Sequence, residues 1–191
     1  MEDLSLHILD IAENSIEARS KRIDIRVEEN RLRDKLILEI VDDGRGMDKE
    51  LLAKALSPFT TTKKAKRIGL GLPLLAQSAE ATGGLLTVRS SRGRGTRIQA
   101  TFKLSHIDLI PLGDIAQTLA TLIAGHPEID FSYAHKSGDQ TYFFSTREYR
   151  DRLGGIPLIA PHAISLIKKD IHDGIARIRR TWPWNKKSRK S

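Results

Sequence analysis

Cysteine is absent from all 191 residues. Its absence excludes a disulfide framework, thiolate metal sites, iron–sulfur clusters and cysteine catalysis together. No apolar run approaches the eighteen or so residues of a membrane span. The opening segment MEDLSLHILD is acidic before it is apolar, unlike a secretory signal. A soluble cytoplasmic protein is the expectation. Tryptophan is confined to Trp182 and Trp184. What remains is ordinary: 39% hydrophobic and 29% charged residues, the balance of a globular chain. The length suits one or two domains and a sizeable core without covalent staples.

The net charge of +8 is unevenly placed. Seven of the 32 basic residues (Arg177, Arg179, Arg180, Lys186, Lys187, Arg189 and Lys190) fall between Arg177 and Ser191, a stretch without acids. Setting them aside leaves 25 basic against 24 acidic residues. The body is nearly neutral, and the basic character belongs to a tail.

Periodicity divides the chain into two parts and that tail. Leu4, Ile8, Ile11, Ala12 and Ile16 recur at helical spacing and predict a helix from Asp3 to Arg19. Ile23, Ile25 and Val27 alternate with charged residues, and Lys35 to Val41 is a second β-rich run. DDGRGM (Asp42 to Met47) breaks the chain before a short helix over Asp48 to Leu56. An irregular segment, SPFTTTKKAKRIG, leads to a helix from about Leu70 to Thr82, with Gly83 as its stop. Leu85 to Ser90 and Arg97 to Leu104 are closing strands joined by SRGRGT. Beyond Ser105 the pattern predicts a helix capped by Asp114, a hairpin built on Ile129 to Phe144, and a final helix over Pro161 to Arg180 with an isoleucine stripe. The order implies an α/β sandwich followed by a small α+β unit packed against it. No internal repeat interrupts it.

The candidate chemistry lies in the first hundred residues. Gly44 and Gly46 follow a strand, where an acid and a bare backbone can approach a ligand closely. Gly69 and Gly71 precede a helix whose positive end suits phosphates. Neither segment has Rossmann or Walker spacing. His7, Asp10, Asn14 and Glu17 share one helix face opposite the apolar stripe. Such a face is either a solvated surface or a holder of hydrated Mg²⁺ against phosphates.

In order, LDIAENSIEA, VDDGRGM, PFTTTK, GLGLPLLAQSAEATGG and RGRGT resemble the boxes of the GHKL superfamily of ATP-binding domains. Gyrase B, the ninety-kilodalton heat-shock chaperone, MutL and histidine kinases belong to it. The resemblance covers about residues 3 to 104 and implies a two-layer α/β sandwich of the Bergerat type. The expected domains are 1–104 for ATP, 105–180 of unassigned role, and the basic tail 181–191. By that resemblance Asn14 holds Mg²⁺ against the triphosphate, and Asp42 accepts the adenine amino group. Gly44 and Gly46 let the chain pass the base, and Met47 packs beside it. Thr61, Thr62 and Lys63 form the lid over the phosphates, and Gly69, Leu70, Gly71 and Leu72 form the second glycine box. Thr96 supports the aspartate through water.

Two departures matter. Where hydrolysing members carry a glutamate four residues before the asparagine, this chain has Asp10, one methylene shorter. A base must reach its proton, and about 1 Å of misplacement can cost on the order of a hundredfold. Asp10 is therefore a weak base or is rescued by a compensating shift, while Glu13, Glu17 and His7 are poorer candidates. The lid is short, and only thirteen residues precede Asn14, leaving no room for the phosphoacceptor helices of a complete histidine kinase. His106, His126, His135, His162 and His172 read as lone surface histidines. The expectation is an Mg-ATP-binding, histidine-kinase-like domain that transfers phosphate to a separate protein partner. The alternative is an ATP-gated interaction module or slow ATPase. A third reading gives the tail, with its two tryptophans between basic clusters, contact with a polyanion or membrane surface.

Overall fold

The computed structural model describes residues 3–56 and 71–180. Helix α1 runs Leu4–Glu17, and its N-terminus is closed by the Asp3 side chain, which accepts from the Leu6 amide at 3.0 Å. Strands β1 (Arg22–Asn30) and β2 (Lys35–Asp42) form a hairpin. Helix α2 (Lys49–Leu56) is capped by Asp48, which accepts from the Leu51 amide at 2.8 Å. Helix α3 (Gly71–Ala81), β3 (Leu85–Ser90) and β4 (Thr96–Lys103) complete the first part. Then come α4 (Ile115–Gly125), β5 (Asp130–Ser137), β6 (Gln140–Ser145), α5 (Thr146–Arg152) and α6 (Pro161–Arg180).

All six strands lie in one sheet, ordered β3-β4-β2-β1-β5-β6. Every pairing is antiparallel except β1 with β5. The β5–β6 hairpin thus extends the sheet of the first part. Alternation decides the faces. Ile23, Ile25 and Val27 are buried, as are Leu36, Leu38 and Ile40 opposite them, and they join one core with Leu4, Ile8 and Ile11 of α1 and Leu75 of α3. Helix α4 sits between α1 and α6 in the same layer. The other sheet face is polar: Glu39 lies between Arg26 (3.3 Å) and Arg97 (2.5 Å). These are the two layers of an α/β sandwich.

Ile167, Ile171 and Ile178 of α6 are buried and Ile164 and Ile175 packed at the margin, as the stripe predicts. Tyr142 and Tyr149 both donate to Asp170 of this helix, at 3.1 and 2.7 Å. Two findings differ from the sequence expectation. Helix α5 has only seven residues, too few for periodicity to announce. It is anchored by Arg150, which donates to Asp130 and to the Pro127 and Ile129 carbonyls at 2.8 and 3.0 Å. His135 is not a surface residue. It lies on the buried face of β5, held by Tyr133 at 2.8 Å and Glu29 at 3.2 Å, because a polar residue on the core side of a strand is tolerated once its partners are buried with it.

Candidate functional site

Two adjacent aspartates end β2, and the backbone gives them different tasks. The Asp43 carboxylate turns back to accept from the Lys21 and Arg22 amides at 2.8 and 2.9 Å, tying the loop to the start of β1. Asp42 faces inward and is buried. Ser15 donates to its Oδ2 at 2.9 Å, while Ser20 and the Gly44 amide donate to its Oδ1 at 3.2 and 2.9 Å. All three donors are neutral groups, and together they fix the direction of the carboxylate.

The glycines around it permit a close approach of three loops. Gly46 has φ +64, and a side chain there would overlap the Ser91 carbonyl. Gly95, with φ +74, lies as closely on the Asp42 carbonyl. Ser90 fastens the arrangement: its hydroxyl receives the Met47 amide at 2.8 Å, donates to the Gly95 carbonyl at 3.0 Å and meets Thr96 Oγ1 at 3.0 Å.

These elements enclose a cleft of about 840 Å³, counting its open mouth. Asp42, Thr96, Asn14, Glu17 and Arg45 are among its polar lining, and Met47, Leu72 and Ile98 among its apolar lining. An apolar slot with a few convergent polar groups is the usual form of a small-molecule site. Of the residues singled out from the sequence, Asn14, Asp42, Gly46, Met47, Leu72 and Thr96 therefore meet around one space. Gly44 stands behind Asp42, packed on Ala18 and Ser20. Thr96 bonds to Ser90, and the direct supports of Asp42 are Ser15, Ser20 and the Gly44 amide.

Asp10 is partly exposed one turn before Asn14, and its carboxylate abuts Gly71 at the start of α3 so closely that any side chain there would overlap it. Thr61, Thr62, Lys63, Gly69 and Leu70 lie outside the described residues. Among the described residues no group of three His, Asp or Glu side chains is arranged to hold a metal.

His7 corrects the sequence reading. It does not share a solvated face with Asp10 and Asn14 but is fully buried against α3, its Nε2 3.4 Å from the Ser78 hydroxyl and its Nδ1 without a hydrogen bond. Burial lowers its pKa, against the pull of Asp10 and Asp3, so the ring is held neutral. The face it occupies points to solvent only beyond the edge of α3. Ser15, Ser20, Ser90 and Arg45 were not foreseen, since a serine that orients a distant carboxylate leaves no mark in periodicity.

Fold and cleft together define a two-layer α/β sandwich with a pocket around the buried Asp42 at the end of its second strand. The profile of the family described as histidine kinase-, DNA gyrase B-, and HSP90-like ATPase matches residues 2–106, and the chain belongs to that family. It contains a histidine-kinase-like ATP-binding domain. Sporulation kinase D of Bacillus subtilis is 32% identical over 98 residues, covering 51% of this chain and 19% of that kinase. The nitrogen regulation protein NtrY of Azorhizobium caulinodans is 36% identical over 80 residues, 41% of this chain and 10% of that protein. The chain thus spans a fifth or less of the length of these relatives. In fold it is also similar to the N-terminal domain of a DNA repair protein (TM-score 0.54, 14% identity, 83% of this chain and 59% of that one). No helix among the described residues is long and apolar enough to cross a membrane.

Proposed function

We propose that the cleft binds Mg-ATP and that the domain transfers the γ-phosphoryl group to a separate protein. The observation that carries this reading is Asp42, a buried carboxylate held by neutral donors at the end of an apolar slot. Such a group suits an exocyclic amine, which donates to the acid while the ring packs against Met47, Leu72 and Ile98. Gly46 and Gly95 let the loop after Asp42 and the loop before Thr96 pack directly on each other, which fixes the wall of the slot. Asn14, at the cleft and on the same helix as the Asp42 support Ser15, would hold Mg²⁺ with water and phosphate oxygens as the other ligands. When bound, ATP would supply the phosphoryl group. Thr61, Thr62 and Lys63 are proposed to close over it, and Gly69 to Leu72 to meet the phosphates at the start of α3.

Phosphoryl transfer rests on positioning and electrostatics, so the accepting partner can bring its own nucleophile. The similarity to a sporulation kinase supports phosphoryl transfer. A second reading is supported by Asp10. Its carboxylate stands at the first residue of α3, where it could orient water for slow hydrolysis and make the domain an ATP-gated module. Incubation of labelled ATP with lysate and the purified chain separates the two. Transferred label that disappears in Asn14→Ala supports the kinase; phosphate release that disappears in Asp10→Asn, with no labelled protein, supports the ATPase. Cytoplasmic location and a polyanion contact through residues 181–191 complete the proposal.

A further inference from the structure

The sheet has two ends, and only one belongs to the cleft. Asp42 and Thr96 pair across β2 and β4 at the cleft end, while Lys35 and Lys103 pair at the other. Seven residues of strand rise separate them, roughly 23 Å. At this far end the β1–β2 turn carries Leu32 with 97% of its surface exposed, between Arg31 and the exposed Arg33. Lys35 and Lys103 beside it are exposed. The last turn of α6 arrives at the same place, because Arg179 pairs with Glu29 at 2.9 Å, three residues before Leu32. Acids are present too: Asp34 is engaged by Ser105 at 2.7 Å, and Glu28 lies 3.7 Å from Lys136.

We infer that this end of the domain is a docking surface for an anionic membrane, with Leu32 as the inserting residue. The inference extends the polyanion reading of the tail and is independent of what the cleft does. Exposed cations would serve any polyanion, but the leucine at the apex decides between them. A nucleic-acid backbone gives an isolated aliphatic side chain nothing to contact, whereas the headgroup–acyl boundary buries it. Docking in this orientation turns the Asp42 end away from the lipid, which leaves the cleft open to nucleotide and to a protein acceptor.

The test is flotation of the full chain with phosphatidylcholine vesicles containing about one-third phosphatidylserine, with pure phosphatidylcholine vesicles as the second arm. Binding to the anionic vesicles alone is expected. Each cation near the surface contributes roughly fivefold in affinity, so Arg33→Ser with Lys35→Ser should weaken it on the order of twentyfold. Leu32→Ser should weaken it at unchanged net charge. Both variants should keep the parent's unfolding temperature and any ATP-dependent shift, which separates failure here from failure of the cleft assignment. Unchanged vesicle binding in either variant overturns the inference, as does absence of binding to anionic vesicles. Retention on duplex RNA without vesicle binding overturns it in favour of a nucleic-acid surface.

Discussion

Two buried carboxylates, Asp42 and Glu29, sit at opposite ends of the same β1–β2 hairpin and are treated in opposite ways. Glu29 is 4% exposed and is met by His135, Ser137 and the Arg179 guanidinium. Burial alone would raise its pKa, but the His135 bond and the Arg179 charge outweigh burial and hold it below the ordinary range. Asp42 is 6% exposed and has two serine hydroxyls and one amide, with no ion pair among the described residues. The first acid is consumed by the fold: it ties the end of α6 to β1. The second is fixed in direction yet keeps spare lone pairs for something that enters the cleft. A buried charge costs stability unless it is paired, so an acid left unpaired beside an apolar slot is the more informative of the two.

Changes at four residues can break or sharpen that contrast. The largest effect is expected at the structural acid. Glu29→Ala strands His135 and Arg179 and should cost about 2–3 kcal/mol in denaturant unfolding, while the ATP-dependent thermal shift persists. Because the folded pKa of Glu29 is lowered, its contribution is complete above the unfolded value near 4.5 and is lost as pH falls through the folded one. The parent should therefore lose stability below that point more steeply than Glu29→Gln.

Asp42→Asn should do the reverse. Its unliganded stability should move by about 1 kcal/mol, but the stabilisation by saturating ATP, about 2.7 kcal/mol at a hundredfold excess over Kd, should vanish. A retained shift would remove Asp42 from the site. Ser15→Ala comes next: it deletes one of three donors to Asp42 and should cost about 1 kcal/mol and weaken ATP several-fold by calorimetry. The smallest effect belongs to His7. Its folded pKa is lowered by burial, so stability is complete above the ordinary value of 6.5 and declines as pH falls below it. His7→Leu should flatten that slope between pH 7 and 5 and leave nucleotide affinity alone. An equally steep slope in the variant would place the titrating group elsewhere.

The contrast also shows where sequence reasoning stopped. The DDGRGM turn, the glycines and Asn14 were legible because turns and helix faces are local, and local rules act on neighbours in the chain. The motif resemblance picked Asp42 over Asp43, but turn and strand rules held no physical reason for the choice. Only the loop geometry turned Asp43 back onto the Lys21 and Arg22 amides and Asp42 toward the serines. His7 shows the converse error. Helical spacing correctly placed it near Asp10 and Asn14, but α3 lies across that part of the face and buries it.

The sequence by itself determined the described elements other than α5, the isoleucine stripe of α6, the strand alternation that chooses a buried face, and the five boxes that mark the family. Each follows from the period of a helix or strand, which is set within a few residues. The tertiary structure decided that the β5–β6 hairpin continues the sheet beside β1 in parallel, that His135 becomes a core residue, and that serines 15, 20 and 90 build the support of the cleft. Those outcomes depend on contacts 22 to 108 positions apart along the chain, which no local period encodes. They form only when burial of one apolar surface forces distant polar groups to find each other.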